Sequence, residues 1–156
     1  MTPPPGESPV NRPDLAPIDP TIKDAIFRAV AAEPFARAMN MSLKALESGR
    51  STVEMRYDPR TMDNIYARAH GGALFALIDE AFETAGQSQG EIAVALNVSV
   101  TYVASPEPGT TLRAEARLVS QTKKTAGYEI RVTAADGGLI ATCQALAYRT
   151  GKPIPF

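Results

Sequence analysis

The spacing of apolar residues changes twice along the chain, and each change predicts a new kind of element. Ile22, Ile26, Phe27 and Val30 recur at helical spacing just after Asp19-Pro20, a pair suited to an N-cap and a first helical position. Pro34 breaks or restarts that helix, and Phe35, Ala38 and Met39 form a further short turn. From about Leu43 the period falls to two. Residues 51–57 set Val53, Met55 and Tyr57 against Thr52, Glu54 and Arg56, which predicts a strand, with a shorter one before it around 43–46. Asp58-Pro59-Arg60 ends the strand, and a polar loop runs through Asn64.

The helical period then returns over residues 70–86. At ~100° per residue, Ala73, Leu74, Leu77, Ile78, Ala81 and Ala85 cover one broad face, and Phe75 and Phe82 carry the apolar surface round the other side. A helix apolar nearly all round is a buried one, and Gly86 suits its end. Only Asp79, Glu80 and Glu83 interrupt it. An ionised carboxylate is costly to bury without a partner, so Asp79 marks the centre of any chemistry. Glu80 and Glu83 read as a solvated stripe, with Glu80 the second choice for a base because it points ~100° away from Asp79.

Four more strands follow Gly90. Residues 92–103 place Ile92, Val94, Leu96, Val98 and Val100 on one face and Ala93, Ala95, Asn97, Ser99 and Thr101 on the other. The second, small-residue face suits another subunit, a ligand or solvent. Pro106-Glu107-Pro108-Gly109 makes a turn, and residues 112–118 and 127–133 alternate in the same way. Asp136-Gly137 is a hairpin signal, residues 139–148 form the last strand, and Gly151-Lys152-Pro153 marks the end of regular structure. Short connections favour antiparallel neighbours. The expected fold class is α+β, a curved antiparallel sheet wrapped around one long central helix.

Composition narrows the function. The 156 residues suit one domain, 19–156, behind a flexible proline-rich tail over residues 1–18, since seven of the thirteen prolines fall in the first twenty positions. A net charge of −1 gives no bias toward nucleic acid or an anionic membrane. No run is long and apolar enough to span a bilayer, and the N-terminus lacks the pattern of a signal peptide, so a cytoplasmic location is expected. Cys143, the single cysteine, sits in an apolar stretch and reads as a core thiol. One His and one Cys are too few soft ligands for zinc, so no metal is assigned.

Several motifs, in this element order, resemble the hotdog-fold thioesterases, most closely the phenylacetyl-CoA thioesterase (PaaI-type) group. They are P-F-A-R-A-M at 34–39, Asn64 followed by His70-Gly71-Gly72, Asp79 nine positions after His70, A-V-A-L-N-V-S-V at 93–100, and P-x-P-G at 106–109. The resemblance covers about 34–149. It implies a hotdog fold and hydrolysis of acyl-CoA thioesters to free acid and coenzyme A, with no cofactor beyond the substrate's own coenzyme A. Asp79 would be general base or nucleophile, the Gly71 N–H the oxyanion donor, and Asn64 and His70 would shape the site. Gly72 and the turn Lys123-Lys124-Thr125 would contact substrate, the turn holding the nucleotide end of coenzyme A; Arg68 and Arg149 could also reach phosphates. The family commonly has Thr-Gly at that turn, whereas here Ala126 separates Thr125 from Gly127.

The residues support part of this independently. Two glycines at a helix start leave N–H groups open at the positive end of the dipole, although they equally permit a tight turn and close packing. Apolar neighbours such as Phe75, Ala76, Phe82 and Gly86 would raise the pKa of Asp79 and suit it to act as a base. Gly71 and Asp79 lie eight residues apart, or ~12 Å along one helix, so they cannot reach the same carbonyl. If both act, the donor comes from one chain and the acid from its mate. The active unit is then at least a homodimer with shared sites, and the family often pairs dimers into a homotetramer. A non-catalytic acyl-CoA or fatty-acid-binding module is an alternative. An acyl-thioester dehydratase or hydratase is another, but it would pair a His with a helix acid in a different context from His-Gly-Gly.

Overall fold

The computed structural model describes residues 13–156. Helix α1 (Pro20–Ala32) begins as its sequence predicts, with the Asp19 carboxylate accepting from the Thr21 N–H at 2.7 Å and Pro20 in the first turn. Pro34 starts α2 (Pro34–Ala38) directly afterwards. Strands β1 (Met41–Glu47) and β2 (Arg50–Arg56) form a hairpin. The connection that follows was expected to be irregular, yet it holds a short helix, α3 (Pro59–Met62), capped by Asp58. Asp58-Pro59 is the same start signal as Asp19-Pro20, and here one pair both ends a strand and opens a helix.

The long helix α4 (Gly71–Gln87) leads to β3 (Glu91–Tyr102), β4 (Thr111–Gln121), β5 (Thr125–Ala134) and β6 (Leu139–Pro153). The last strand continues past the expected end at Tyr148, because Glu91 of β3 offers a partner as far as Pro153. The six strands form one sheet in the order β1-β2-β4-β5-β6-β3, and every neighbouring pair is antiparallel. Helix α4 packs against all six, so the sheet curves around it. Its Leu77, Ile78, Ala81 and Ala85 have no solvent exposure and meet a core that includes Val53, Met55, Leu112 and Val132. Phe82 packs edge-on against Tyr128 with ring centroids 5.3 Å apart.

The strict alternation expected for β3 does not hold. Its pairing with β6 shifts register between Glu91 and Ala93 and again between Ala95 and Asn97. A bulge adds one residue and turns the side chains after it to the opposite face. Ala93 therefore faces the core before the second shift, and Val98 and Val100 face it afterwards, while Val94 and Leu96 are left exposed. The apolar face predicted as continuous is split, and β3 is an outer edge of the sheet.

Residues 1–12 of the expected tail lie outside the described residues. Residues 13–18 have no helix or strand, but they lie on the body: Ala16 O accepts from Ser48 Oγ at 2.6 Å, and Leu15 and Ile18 pack against the core. Among the described residues no helix is long and apolar enough to cross a membrane. Cys143 is a buried core residue on β6, and burial pushes its thiol up to about 11, which suppresses thiolate chemistry.

Removing the Leu77 side chain should leave a cavity under the centre of the sheet. Leu77→Ala is expected to cost about 2–5 kcal/mol in urea unfolding. A loss below about 1 kcal/mol would contradict its fully enclosed position.

Candidate active site

The loop before α4 is closed on itself. The Asn64 Oδ1 accepts from the N–H groups of Tyr66 at 2.8 Å and Arg68 at 3.2 Å, and the Asn64 N–H donates to Arg68 O at 2.7 Å. Ala67 takes a left-handed conformation with φ of 53°. Beneath the loop the buried Tyr57 hydroxyl donates to Asp63, and burial together with that bond pushes the phenol up to about 12. With its Oδ1 taken by the loop, Asn64 has only its amide N–H groups to offer a ligand.

His70 is the N-cap of α4. Its Nδ1 accepts from the Gly72 N–H at 2.8 Å, so in the neutral ring the proton sits on Nε2. This contact separates the two glycines. The Gly72 N–H is occupied, whereas the Gly71 N–H has no acceptor among the described residues and lies at the positive end of a seventeen-residue helix. Gly71 is also sterically constrained: a Cβ there would meet the Tyr102 ring at 3.2 Å, and Tyr102 donates its hydroxyl proton to Gly71 O at 3.0 Å. Tyr102 was not singled out from the sequence, because nothing local ties it to a residue 31 positions away.

Asp79 lies two turns along the same helix in a cleft of about 210 Å³, lined from α4 by Phe82, Glu83 and Gly86 and from β3 by Ala93 to Ala95. Burial raises the carboxyl above its ordinary range. Glu83 shares the cleft and is also raised, first by burial and then by the charges of Glu33 and Asp79. Of the predicted neighbours, Phe82 and Gly86 line this cleft, and Phe75 and Ala76 do not. Larger grooves occur on the outer face, one along Arg50, Glu115 and Arg131 and another beside residues 13–18, and neither contains a candidate group. Cavity size alone therefore does not locate the chemistry.

Within one chain the predicted residues form three separate groups. Asn64, His70, Gly71 and Gly72 gather at the start of α4. Asp79 stands apart in its cleft beside the exposed edge strand β3. Lys123 and Lys124 are exposed in the β4–β5 turn, and Thr125 opens β5. The Thr122 hydroxyl accepts from the N–H groups of Lys124 and Thr125 and shapes that turn, and the Lys124 ammonium sits 5.5 Å from the Tyr148 ring centroid. Gly127 faces Ser120 across the bulge in β4, and a Cβ on it would meet Ser120 Oγ at 2.6 Å, so the glycine position follows the local packing. Arg149 donates to Thr122 O at 2.9 Å and pairs with Glu91 at 2.8 Å, so its guanidinium is anchored beside that turn.

The expected stripe of solvated acids is overturned at Glu80. The residue is 4% exposed and lies under α1, outside the Asp79 cleft, so it is poorly placed to act as the base there. Glu83 is exposed, as expected.

The His70 cap can be tested by itself. His70→Ala is expected to lower stability by about 1 kcal/mol in urea unfolding, and His70→Asn to recover most of it. Equal stability of the alanine variant and the parent would contradict the cap.

Comparison with known proteins agrees with this architecture. A family model described as Thioesterase superfamily matches residues 66–141. The acyl-coenzyme A thioesterase PaaI of Escherichia coli K12 is 30% identical over 119 residues, which cover 76% of this chain and 84% of that protein. The structure of the E. coli PaaI protein from the phenylacetic acid degradation operon superposes with a TM-score of 0.81 at 28% identity, covering 85% of this chain and 96% of that one. Streptococcus mutans smu.793, solved bound to acetyl CoA, gives a TM-score of 0.69 at 29% identity, covering 74% of this chain and 92% of that one. The six-stranded sheet and the long helix it wraps around are thus the architecture of a known lineage: the chain belongs to the thioesterase superfamily, as a PaaI-type hotdog thioesterase.

Proposed function

We propose that the chain hydrolyses acyl-CoA thioesters at sites shared between two copies, with Asp79 of one chain and the Gly71 N–H of the other acting on the same carbonyl. The observation that carries this reading is the division along α4. The Gly71 N–H is open at one end, the raised Asp79 carboxyl lies in a cleft further on, and ~12 Å of helix separates them. A base must come within about 3 Å of the proton it takes, or act through one water. One chain does not meet that requirement for both groups, whereas two chains related by a twofold axis supply two complete sites.

The edge strand β3 supports the pairing. It carries exposed Val94 and Leu96 beside the Asp79 cleft, and Leu96 is 57% exposed. An unpaired strand edge with apolar side chains favours addition of another strand. A second copy laid along β3 would bring its own α4 start toward the cleft. Pairs of such dimers form the proposed homotetramer.

In the hydrolytic step Asp79 removes a proton from water while the water oxygen attacks the thioester carbonyl carbon. Charge develops on the carbonyl oxygen, where the Gly71 N–H and the end of the helix dipole stabilise it. The C–S bond then breaks, the thiolate of coenzyme A leaves, and the proton held by Asp79 returns to it. In the nucleophilic variant Asp79 attacks the carbonyl carbon itself and expels the coenzyme A thiolate, giving a mixed anhydride. Water then opens the anhydride, releasing the free acid and the Asp79 carboxylate, and the remaining proton of that water passes to the thiolate. His70 positions the Gly71 peptide by capping the next N–H. Asn64 reaches substrate through its amide N–H groups, because its Oδ1 is held by the loop. Gly72 shapes the turn at the site, and Lys123, Lys124 and Thr125 are assigned to the coenzyme A phosphates. Neither route uses a metal or a separate cofactor.

Free-thiol release from a panel of aromatic and aliphatic acyl-CoAs tests the assignment. Asp79→Asn is expected to lower kcat by about 10²–10⁴ while coenzyme A affinity stays near that of the parent. Asp79 works as the carboxylate, so activity falls as pH drops through its pKa, and burial places that acid limb above the range of an exposed aspartate. Unchanged turnover in the variant would refute the role of Asp79.

A further inference from the structure

We infer that Glu33, Glu80 and Glu83 form a binding site for a hard divalent cation that ties α1 to α4. Each offers a carboxylate oxygen, and these oxygens lie within 4.8 Å of one another. They come from two parts of the chain, Glu33 from the junction of α1 and α2 and the other two from successive turns of α4. They line a pocket of about 300 Å³ whose other walls are largely apolar, including Ile26, Val30 and Phe156.

The second observation is the state of Glu80 within that pocket. The residue is 4% exposed, its Oε1 is buried with no hydrogen-bond donor, and its carboxyl lies within hydrogen-bond reach of that of Glu33. The other polar groups beside it are satisfied. The Thr84 hydroxyl meets Ser51 Oγ at 2.6 Å and Glu80 O at 2.8 Å, and the Gln87 amide is held by the backbone of Ala93. No Lys or Arg among the described residues forms a salt bridge with any of the three glutamates. Three carboxyl groups against an apolar wall, one of them enclosed, must be neutralised either by a cation or by a proton shared between Glu80 and Glu33.

The geometry suits a metal ion. Calcium takes oxygen ligands at about 2.3–2.6 Å, so oxygens on adjacent positions of its shell stand about 3.4 Å apart and those on opposite positions about 4.8 Å. Three oxygens within the observed spacing can occupy one side of such a shell after small side-chain adjustments. Water entering through the exposed side of Glu83 would complete it. An all-carboxylate donor set selects calcium, manganese or magnesium over zinc or copper. Glu83 also borders the Asp79 cleft, whereas Glu33 and Glu80 do not, so the clamp can be removed without altering that cleft.

The test uses the full chain, stripped with EDTA and melted at neutral pH with CaCl₂ or MnCl₂, against NaCl of equal ionic strength. At a metal concentration about a hundredfold above its Kd, the melting temperature is expected to rise by about 5 °C or more. Glu80→Gln and Glu33→Gln should each remove most of that rise. Glu80→Gln should melt no lower than the metal-free parent, because a neutral amide needs no counter-charge. Bound Mn²⁺ should be seen by electron paramagnetic resonance in the parent and lost in both variants. Should Glu80→Gln fail to fold, Glu33→Gln decides the question from a half-buried position. A rise no larger than that in NaCl, or an equal rise and an equal Mn²⁺ signal in the variants, would overturn the proposal and leave a proton as the only neutraliser of Glu80.

Discussion

The packing of α4 into the sheet sets the terms for the rest of this chain. A helix with apolar residues on nearly every side is stable only where protein surrounds it, and all six strands contact it. The sheet must therefore curve, and the helix cannot slide or turn without opening the core. That rigidity is what makes its few polar features useful. The start of the helix holds an open amide on a glycine that Tyr102 covers, and its middle holds a carboxyl that burial has made more basic. A site built on a locked helix keeps its groups in place more precisely than one built on loops.

The same rigidity sets the limit of one chain. The helix fixes the distance between Gly71 and Asp79, and no change of rotamer closes it. The sheet supplies the complementary feature on its outer side. The bulge in β3 turns Val94 and Leu96 away from the core and leaves apolar surface on an edge strand next to the acid. Incompleteness of the site and incompleteness of the sheet thus occur on the same side of the molecule. The proposed twofold pairing along β3 would resolve both, and this is the physical basis for proposing a shared site in this PaaI-type thioesterase.

Much of this was legible in the sequence because the controlling interactions are local. Asp19-Pro20 predicts the start of α1, His70-Gly71-Gly72 and Gly86 bracket α4 to within a residue, and two-residue alternation marks β2, β4 and β5. The features that escaped depend on distant neighbours. The β3 bulge exists only in its register with β6, and the final residues of β6 are strand because Glu91 is there to pair with them. Tyr102 reaches Gly71 from the far end of another element, and Glu80 is buried because α1 lies over it. Asp58-Pro59 was a local signal, but its second meaning as a helix start was hidden behind its first as a strand end. The grouping of the site residues was readable in outline. The motif spacing singled out Asn64, His70, Gly71 and Asp79, whereas the different fates of the two glycine amides required the position of the His70 ring.

Subunit complementation tests the shared site most directly. Gly71→Pro, made together with Tyr102→Ala to give its ring room, deletes the proposed donor N–H at a first helical position whose backbone accepts proline, and Asp79→Asn deletes the acid. Each variant alone should be inactive toward acyl-CoA. If the site is shared, a dimer of one chain of each kind holds one intact site and one doubly damaged site. Unfolding and refolding the two variants together in equal amounts should then restore about a quarter of the parent's thioesterase activity, since half of the dimers are mixed and each has one working site. Activity no higher than that of the separate variants, in a preparation shown to contain mixed dimers, would contradict a site formed between chains.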